Sequence, residues 1–279
     1  MAIVQQLFDL LIKKNAEIFV YEDYYKTFEG RLQIDTPLIF FKKYEDFKQH
    51  NIDFFITLGG DGTILDAVTI VKDTNVPIMG VNLGRLGFLA MIEQSRIELA
   101  IESLYNNNFV IDARNLLYLE SSSPIFEDNN FALNDFTILK RDTSSMVIIH
   151  TYVNGEFLNS YWADGIIVAT PTGSTGYSLS CGGPIISPKS GNFIITPVAP
   201  HNLNVRPIVL SDSAVISFEV EGRAKNFLCT LDSRYRTIDS SFQLAVRRAD
   251  FQTRLVRLTD RNFLYMIREK LKWGIDARN

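Results

Sequence analysis

The spacing of apolar and polar residues over the first 110 positions alternates between two periods. Residues 3–14 carry apolar side chains at positions 3, 4, 7, 8, 10, 11 and 12, which is the spacing of a helix face. Residues 16–22 form a short apolar segment, and residues 52–58 and 76–84 are apolar runs beside glycines. Such runs are typical of strands buried on both faces of a parallel sheet. The pattern predicts an α/β domain over residues 1–110.

Helical spacing also occurs at residues 63–73 and 95–106, with Ser95 as a predicted N-cap. After residue 109 the chain changes to short alternating segments separated by turn residues, and residues 153–156 read as a hairpin turn. We therefore predict a β-rich second domain over residues 111–258. Helical spacing returns at residues 260–274, so residues 259–279 are expected to carry a C-terminal helix that packs back on the first domain.

Composition narrows the possible partners. The 279 residues are 46% hydrophobic, and 28 basic against 32 acidic residues give a net charge of −4. This balance argues against nucleic acid or a membrane surface as partner. Two cysteines and three isolated histidines form neither a disulfide framework nor a zinc motif. No apolar run approaches the ~18 residues of a membrane span, and no signal peptide is visible, so we predict a cytoplasmic protein.

The segment Gly59-Gly60-Asp61-Gly62-Thr63 lies between a predicted strand and a predicted helix. Such a junction brings backbone N–H groups and the positive end of a helix together, and glycine lets a phosphate approach closely. Asp61 repels phosphate, so it is a candidate for holding Mg²⁺ or for accepting the proton of an attacking hydroxyl. The alternative is a tight strand-to-helix turn without a ligand. No Walker-type lysine follows the glycines.

The same five residues resemble the GGDGT signature shared by NAD kinases, diacylglycerol and sphingosine kinases and, with serine for threonine, phosphofructokinases. Residues 163–185, ADGIIVATPTGSTGYSLSCGGPI, resemble the signature of NAD kinases. Residues 82–90 (NLGRLGFLA), 133–135 (LND) and 199–210 (APHNLNVRPIVL) are similar to further segments of that family. Together these segments extend over residues 59–232, and on them the chain is identified as a member of the NAD kinase family.

The resemblance implies transfer of the γ-phosphate of ATP to the 2′-hydroxyl of the adenosine ribose of NAD, with Mg²⁺ or another divalent cation. It implies that Asp61 is the catalytic base and that Gly59, Gly60, Gly62 and Thr63 bind the ATP phosphates. No dedicated protein cage for the metal is expected. Because members of the family are often oligomeric, the resemblance also implies a homo-oligomer, either a dimer or a tetramer.

The resemblance further implies a set of NAD contacts. Hydroxyl groups and an aromatic ring suit an acceptor that contains ribose and bases. Each motif also has a plainer interpretation: a surface loop for residues 172–180, a hairpin turn for residues 164–165, core packing for the phenylalanine, and a bulge or bend for residues 134–135. The implied contacts are Asp61, Gly62, Phe88, Asn134, Asp135, Asp164, Thr175, Gly176, Tyr177 and Ser180.

Three features depart from the family pattern. Asp135 stands where glutamate is usual, which shortens the reach of the carboxylate. Asp232 is followed by Ser233 rather than glycine, and the Cβ of serine tolerates a positive φ poorly. In the family the residue matching Asp232 can reach a neighbouring subunit's site, so its role here stays open. Finally, the chain opens inside its first helix, so either a first strand is absent or the true start lies upstream of Met1.

Two other functions are compatible with part of the pattern. A diacylglycerol-type lipid kinase shares GGDGT, but it does not need the hydroxyl-rich loop formed by residues 172–180. The sequence also shows no basic amphipathic helix that would bind a membrane surface. A non-catalytic sensor that binds NAD or NADP would be natural if Asp61 were replaced. Retention of Asp61 favours the kinase.

Overall fold

The computed structural model describes residues 1–141, 146–222 and 226–274, and these form two compact units. Unit 1 combines Met1–Ala113 with Thr253–Asn279, and unit 2 is Arg114–Gln252. Both boundaries fall inside long strands, the first within Val110–Ser121 and the second within Leu244–Arg257. The domain limits predicted at residues 110 and 258 mark the outer ends of those strands instead. Residues 275–279 of the predicted C-terminal segment lie outside the described residues.

The elements of unit 1 follow the alternation of helix and strand that the apolar spacing predicts. A 3₁₀ turn at Gln94–Arg96 precedes the last helix before the boundary. In chain order the elements are α1 (Ala2–Lys13), β1 (Ile18–Tyr21), α2 (Glu22–Tyr25), β2 (Leu38–Phe41), α3 (Tyr44–Lys48), β3 (Phe55–Gly59), α4 (Asp61–Val71), β4 (Ile78–Asn82), β5 (Ile92–Glu93), α5 (Ile97–Tyr105) and the start of β6 (Val110–Ser121).

A parallel sheet forms the centre of unit 1. Strand β4 pairs in parallel with β3 on one side and with β5 further along, and all five of its residues are buried. Helices α1 and α5 cover the sheet through a shared cluster that includes Leu7, Met79, Val81, Ile97 and Ile101. This arrangement confirms the predicted α/β class with a parallel sheet.

Strand β3 differs from the prediction of a strand buried on both faces. Thr57 is its buried residue, and the remainder of the strand is half-buried. A cavity of about 890 Å³ is lined by β1, β3, α1 and α4, and no backbone pairing joins β1 to β3 within the described residues. Strand β1 instead pairs with β2 in a separate two-stranded parallel sheet. The apolar run indicated the strand correctly, but it could not show that one side lines a cavity.

The helix limits show one correction. Ser95 lies within the 3₁₀ turn, and the N-cap of α5 is Arg96, which makes no side-chain capping bond. The prediction of Ser95 as the cap was wrong because the chain enters the helix through one extra turn. The last helix, α7 (Phe263–Leu271), belongs to unit 1 and is capped by Asn262, whose Oδ1 accepts from the N–H of Tyr265 at 2.9 Å.

Unit 2 consists almost entirely of strands. It contains a 3₁₀ turn at Gly173–Thr175 and a single-turn helix, α6 (Tyr177–Ser180), between two of them. The strands are the remainder of β6, then β7 (Phe131–Ala132), β8 (Asp135–Lys140), β9 (Val147–Val153), β10 (Glu156–Ala163), β11 (Gly165–Ala169), β12 (Asn192–Val198), β13 (Ile208–Ser211), β14 (Ile216–Gly222), β15 (Phe227–Leu231), β16 (Arg234–Ile238) and the first part of β17 (Leu244–Arg257).

Two antiparallel layers enclose the core of unit 2. One is a six-stranded sheet in the order β13-β12-β11-β8-β15-β16, and the other contains β10, β9, β14 and β17. Side chains from both layers, among them Phe136, Phe193, Phe218 and Phe227, form one buried cluster. Asn154 and Gly155 connect β9 to β10 with φ values of 52° and 84°, so the predicted hairpin turn is confirmed.

The whole of β11 is buried. Residues 166 and 168 face the central cluster, while residues 167 and 169 pack on a second cluster that includes Cys181 and Ile186. The segment after β11 therefore folds over one face of the six-stranded sheet. Within the described part of the chain, none of the helices is both long and apolar enough to span a bilayer.

Candidate active site

The turn from β3 to α4 carries the glycine-rich motif of unit 1. A methyl group added at Gly59 would lie 2.1 Å from Thr63 Oγ1, so this glycine is required by the turn itself. At Gly60 and Gly62 an added methyl group would meet nothing within 4 Å, and neither residue has a positive φ. Neither packing nor backbone conformation explains these two glycines. Their N–H groups at the start of α4 are open to the approach of an anion.

Asp61, the first residue of α4, uses its carboxylate to bind a distant loop. Oδ2 accepts from the N–H of Phe88 at 2.8 Å, and Oδ1 accepts from the N–H groups of Leu89 and Ala90 at 3.0 and 2.9 Å. A carboxylate has about four acceptor positions, so these bonds leave about one, on Oδ2, for a further donor. Asp61 can therefore fix the loop and still accept a proton or a hydrogen bond from a ligand.

The loop after β4 owes its shape to a residue that the sequence analysis did not single out. Asn82 is 3% exposed, donates from Nδ2 to the carbonyl of Arg85 at 2.8 Å and accepts from the N–H of Gly84 at 2.7 Å. Gly87 then passes so close to Asp61 that an added methyl group would lie 1.8 Å from Oδ1. The sequence signal for this role was an asparagine, Asn82, at the end of an apolar run that predicts a parallel strand, where loops that form binding sites begin.

Phe88 follows directly in that loop, and its side chain is half-buried. The ammonium group of Lys270, on α7, lies 6.0 Å from the centroid of the Phe88 ring. The predicted return of the C-terminal helix to the first domain is thereby confirmed at a contact beside the candidate site. The ring keeps an accessible face, in contrast with the core position that a lone phenylalanine more often occupies.

In unit 2, Asn134 lies at a bend between β7 and β8, and Asp135 begins β8. The bend is held from the segment after β11: the N–H of Thr170 donates to the Asn134 carbonyl at 2.9 Å, and Thr170 Oγ1 donates to the Leu133 carbonyl at 2.5 Å. A methyl group added at Gly173 would lie 2.0 Å from the Asn134 carbonyl oxygen. The two segments therefore form one compact arrangement, and the bend is part of it.

The side chains of the hydroxyl-rich loop fall into two groups that differ in burial. Thr172, Ser174 and Ser178 are buried, and their hydroxyls bond within unit 2 to Arg114, Pro171 and Thr196. Because these side chains are buried, the segment is not simply a surface loop. The residues implied to contact NAD remain accessible: Thr175 and Gly176 are half-buried, and Tyr177 and Ser180 are exposed.

Asp135 is a buried carboxyl facing this loop. Its side chain belongs to a residue only 7% exposed, and in the described residues neither carboxyl oxygen has a hydrogen-bond partner. Burial, together with the charge of Asp232, raises the pKa of Asp135 to about 7. Burial also raises the pKa of the Tyr177 hydroxyl, assisted by Cys181, Asp135 and Asp164. These groups therefore share one electrostatic environment, in which Asp135 is available to a ligand.

Asp164 connects β10 to β11, and its Oδ1 lies 2.6 Å from the ammonium group of Lys140 on β8. Its backbone continues the sheet, because the Asp164 carbonyl accepts from the N–H of Lys140 at 2.8 Å. Gly165 is required by packing, since an added methyl group would lie 2.3 Å from the Ile138 carbonyl oxygen. The Asp-Gly pair is therefore a strand connection whose carboxylate already has a cationic partner.

Asp135→Asn is expected to stabilise the protein near pH 8 and to have less effect as the pH falls from about 7 toward 4. Because the pKa of Asp135 in the folded state lies above its ordinary value of 3.8, the folded state holds a proton that the unfolded state releases. Stability should therefore fall as the pH rises through this interval, and asparagine removes that loss. Urea denaturation at several pH values measures it, with the exposed Asp128→Asn as control. An unchanged pH dependence in Asp135→Asn would contradict the prediction.

The structure thus groups the predicted residues by unit. In unit 1, the glycine turn, Asp61 and the backbone of Phe88 are in direct contact or adjacent. In unit 2, Asn134, Asp135 and the loop around Gly176 lie together, and Gly176 is placed so that an added methyl group would be 3.8 Å from Asp135 Oδ2. Among the described residues, no group of three or more His, Cys, Asp or Glu side chains is placed to hold a metal.

Two family models together match most of the chain. The family model described as the ATP-NAD kinase N-terminal domain matches residues 3–109, and the model described as the ATP-NAD kinase C-terminal domain matches residues 133–258. The chain is 52% identical to the NAD kinase of Cytophaga hutchinsonii over 227 residues, which cover 81% of this chain and 78% of that protein.

Two further matches cover nearly the whole chain. The NAD kinase of Flavobacterium psychrophilum is 42% identical over 279 residues, covering 99% of this chain and 95% of that protein. The crystal structure of an NAD kinase from Archaeoglobus fulgidus in complex with ATP superposes with a TM-score of 0.70 at 25% identity, covering 91% of this chain and 98% of that one. The glycine turn with its carboxylate, the hydroxyl-rich loop and these matches lead to one conclusion: the chain belongs to the NAD kinase family.

Proposed function

We propose that this protein is an NAD kinase that transfers the γ-phosphate of ATP to the 2′-hydroxyl of the adenosine ribose of NAD, giving NADP and ADP. The observation that carries the proposal is Asp61 at the start of α4, beside two glycines that neither packing nor conformation requires. One acidic side chain next to an anion-binding turn matches a reaction that joins a phosphate donor to a hydroxyl acceptor.

Asp61 has the geometry of a fixed proton acceptor. Its bonds to the N–H groups of Phe88, Leu89 and Ala90 hold the carboxylate in one orientation, so little side-chain freedom is lost when the substrate binds. The remaining acceptor position on Oδ2 would take the 2′-hydroxyl and its proton during transfer. The N–H groups at Gly60 and Gly62, at the positive end of α4, would bind the donor phosphates.

A divalent cation, Mg²⁺ in this proposal, fits the residues present as a partner of ATP. The described residues form no cage of three acidic or histidine ligands, and Mg²⁺ is often bound by one or two carboxylates together with substrate phosphates. When bound, the cation would neutralise charge on the phosphates.

The accessible residues of unit 2 would bind the dinucleotide. Asp135 would pair with ribose hydroxyls, since its carboxyl oxygens have no protein partner in the described residues. The exposed ring of Tyr177 offers a stacking surface for a base, and Asn134, Thr175 and Ser180 offer directional polar groups. Asp164 would face the nicotinamide end. We also propose a homo-oligomer, dimer or tetramer; the cytoplasmic location stays a prediction from the sequence.

The proposal is tested by incubating the purified protein with ATP, Mg²⁺ and NAD and coupling any product to an NADP-specific dehydrogenase. We expect NADP to form in proportion to enzyme, and none to form without ATP. A known active NAD kinase serves as the positive control. Folded protein that yields no NADP would overturn the proposal. Phosphorylation of diacylglycerol instead would indicate the lipid kinase, and tight NADP binding in calorimetry without turnover would indicate a sensor.

A further inference from the structure

Asp232 lies in the turn between β15 and β16, and its carboxylate bonds three consecutive backbone groups. Oδ2 accepts from the N–H of Leu133 at 3.0 Å, and Oδ1 accepts from the N–H groups of Asn134 and Asp135 at 2.7 and 3.2 Å. The side chain is only 3% exposed. Asp232 is therefore directed into its own unit and holds the bend on which two of the proposed NAD contacts lie.

The contact is reciprocal. The N–H of Asp232 donates to the carbonyl of Asp135 at 3.0 Å, so backbone and side chain of one residue bind the same short segment. Two residues further on, Arg234 donates from its guanidinium to the carbonyls of Asn129 and Phe131. One turn thus fixes the chain from residue 129 to residue 135, including the connection into β8.

The backbone of the turn explains the unusual pair at residues 232–233. Asp232 has φ = 52°, whereas Ser233 is not among the residues with positive φ. The expectation that the residue after Asp232 needs the freedom of glycine was wrong, because the left-handed position is the aspartate itself. Aspartate tolerates this conformation better than most residues, and its three bonds to the bend offset the remaining strain.

The position of Asp232 also affects the charge of its neighbour. Burial raises the pKa of Asp232, while the three N–H donors and Arg234 act in the opposite direction, and the charge of Asp232 in turn helps to raise the pKa of Asp135. The other titratable groups that act on this environment are Tyr177, Cys181 and, through Tyr177, Asp164. Asp232 therefore holds the segment that carries the Asp135 carboxyl, and its charge adds to the effect of burial in raising the pKa of that carboxyl.

We propose that Asp232 is a positioning residue for the acceptor dinucleotide: its carboxylate holds the backbone of Leu133–Asp135 so that Asn134 and Asp135 can bind NAD. It acts through the bend rather than on the substrate, since its three hydrogen-bond donors are backbone N–H groups of the bend and its ion-pair partner is Arg234 of the same unit. The proposal rests on the proposed function of the site, because it assigns Asn134 and Asp135 to NAD.

The test replaces Asp232 with asparagine, which keeps the size of the side chain but turns one acceptor oxygen into a donor group. We expect the KM for NAD to rise by about 10- to 100-fold, the range expected when a buried hydrogen bond to a charged group is lost, while kcat and the KM for ATP change much less. The inflection of the KM for NAD against pH should move to lower pH, because the charge that helps to raise the pKa of Asp135 is gone.

Asp239→Asn is the matched control, since Asp239 also accepts from a turn N–H, that of Ser241 at 2.8 Å, but is exposed. A double-mutant cycle with Asp135→Asn separates positioning from general destabilisation. If Asp232 acts by positioning Asp135, the effect of Asp232→Asn on the KM for NAD should be smaller in the Asp135→Asn background than in the parent. If Asp232→Asn raised the KM for NAD by the same factor in the Asp135→Asn background as in the parent, the positioning role would be overturned. An unchanged pH inflection of the KM for NAD in Asp232→Asn would overturn it as well. If the parent protein makes no NADP, the proposed function fails, whereas NAD calorimetry on parent and variant still tests the positioning of the bend.

Discussion

Asp61→Asn is expected to lower kcat by about 10²- to 10⁴-fold, the usual contribution of a positioned general base, while NAD binding changes much less. Asparagine cannot take the proton of the 2′-hydroxyl. It also places an N–H₂ group among the three N–H donors of Phe88, Leu89 and Ala90, so at least one of these bonds is lost. We therefore also expect a loss of about 1–3 kcal/mol in stability.

The measurement combines steady-state kinetics with calorimetric titration of NAD and with thermal melting. Asp66→Asn is a suitable control, because Asp66 lies on the same helix, α4, and its carboxylate has no role in the proposed site. Equal losses in kcat and in NAD affinity would reassign Asp61 to substrate binding. Retention of most of kcat in a folded variant would remove Asp61 from the chemical step.

Gly87→Ala is expected to inactivate the enzyme and to cost about 1–3 kcal/mol of stability, the usual range for an overpacked site. The new methyl group would lie 1.8 Å from Asp61 Oδ1. Because that carboxylate is held by three hydrogen bonds, the clash can be relieved only by breaking them, either by rotating the Asp61 side chain or by separating the loop from α4. Kinetic assay and thermal melting would measure both effects.

The loop supplies its own control. Gly84→Ala is the same substitution three residues earlier, at a position where an added methyl group meets nothing within 4 Å, and it should leave stability nearly unchanged. In an Asp61→Ala background the obstructing carboxylate is gone, so Gly87→Ala should cost less stability than it does in the parent. Additive losses in that background would show that the clash lies elsewhere.

Local sequence pattern was sufficient for features made by neighbouring residues. The strand, turn and helix around Gly60 follow from an apolar run, glycines and helical spacing, and the Asn154-Gly155 hairpin follows from two residues that accept a positive φ. The predicted fold class was confirmed for the same reason, since it needed only the order of elements.

What the sequence could not provide are contacts between segments far apart in the chain. Asp61 bonds to residues 27–29 positions away, and Asp232 bonds to residues 97–99 positions away. No periodicity links such positions. The hydroxyl-rich loop shows the same limit: Ser178 and Ser180 have identical side chains two positions apart, yet one is buried against Thr196 and the other is exposed.

The discontinuity of unit 1 has a consequence for synthesis on the ribosome. Leu255 of β17 pairs with Ile78 of β4, and Arg261 donates to Glu93 at 2.9 Å, so the first unit needs residues translated after all of the second. Unit 2 is continuous, so it can fold once Gln252 has left the ribosome. The N-terminal part of unit 1 cannot complete its fold until the residues after Gln252 have also been synthesised. Because proteins generally fold domain by domain as they are made, this order leaves the glycine turn and Asp61 on the unit that is finished last.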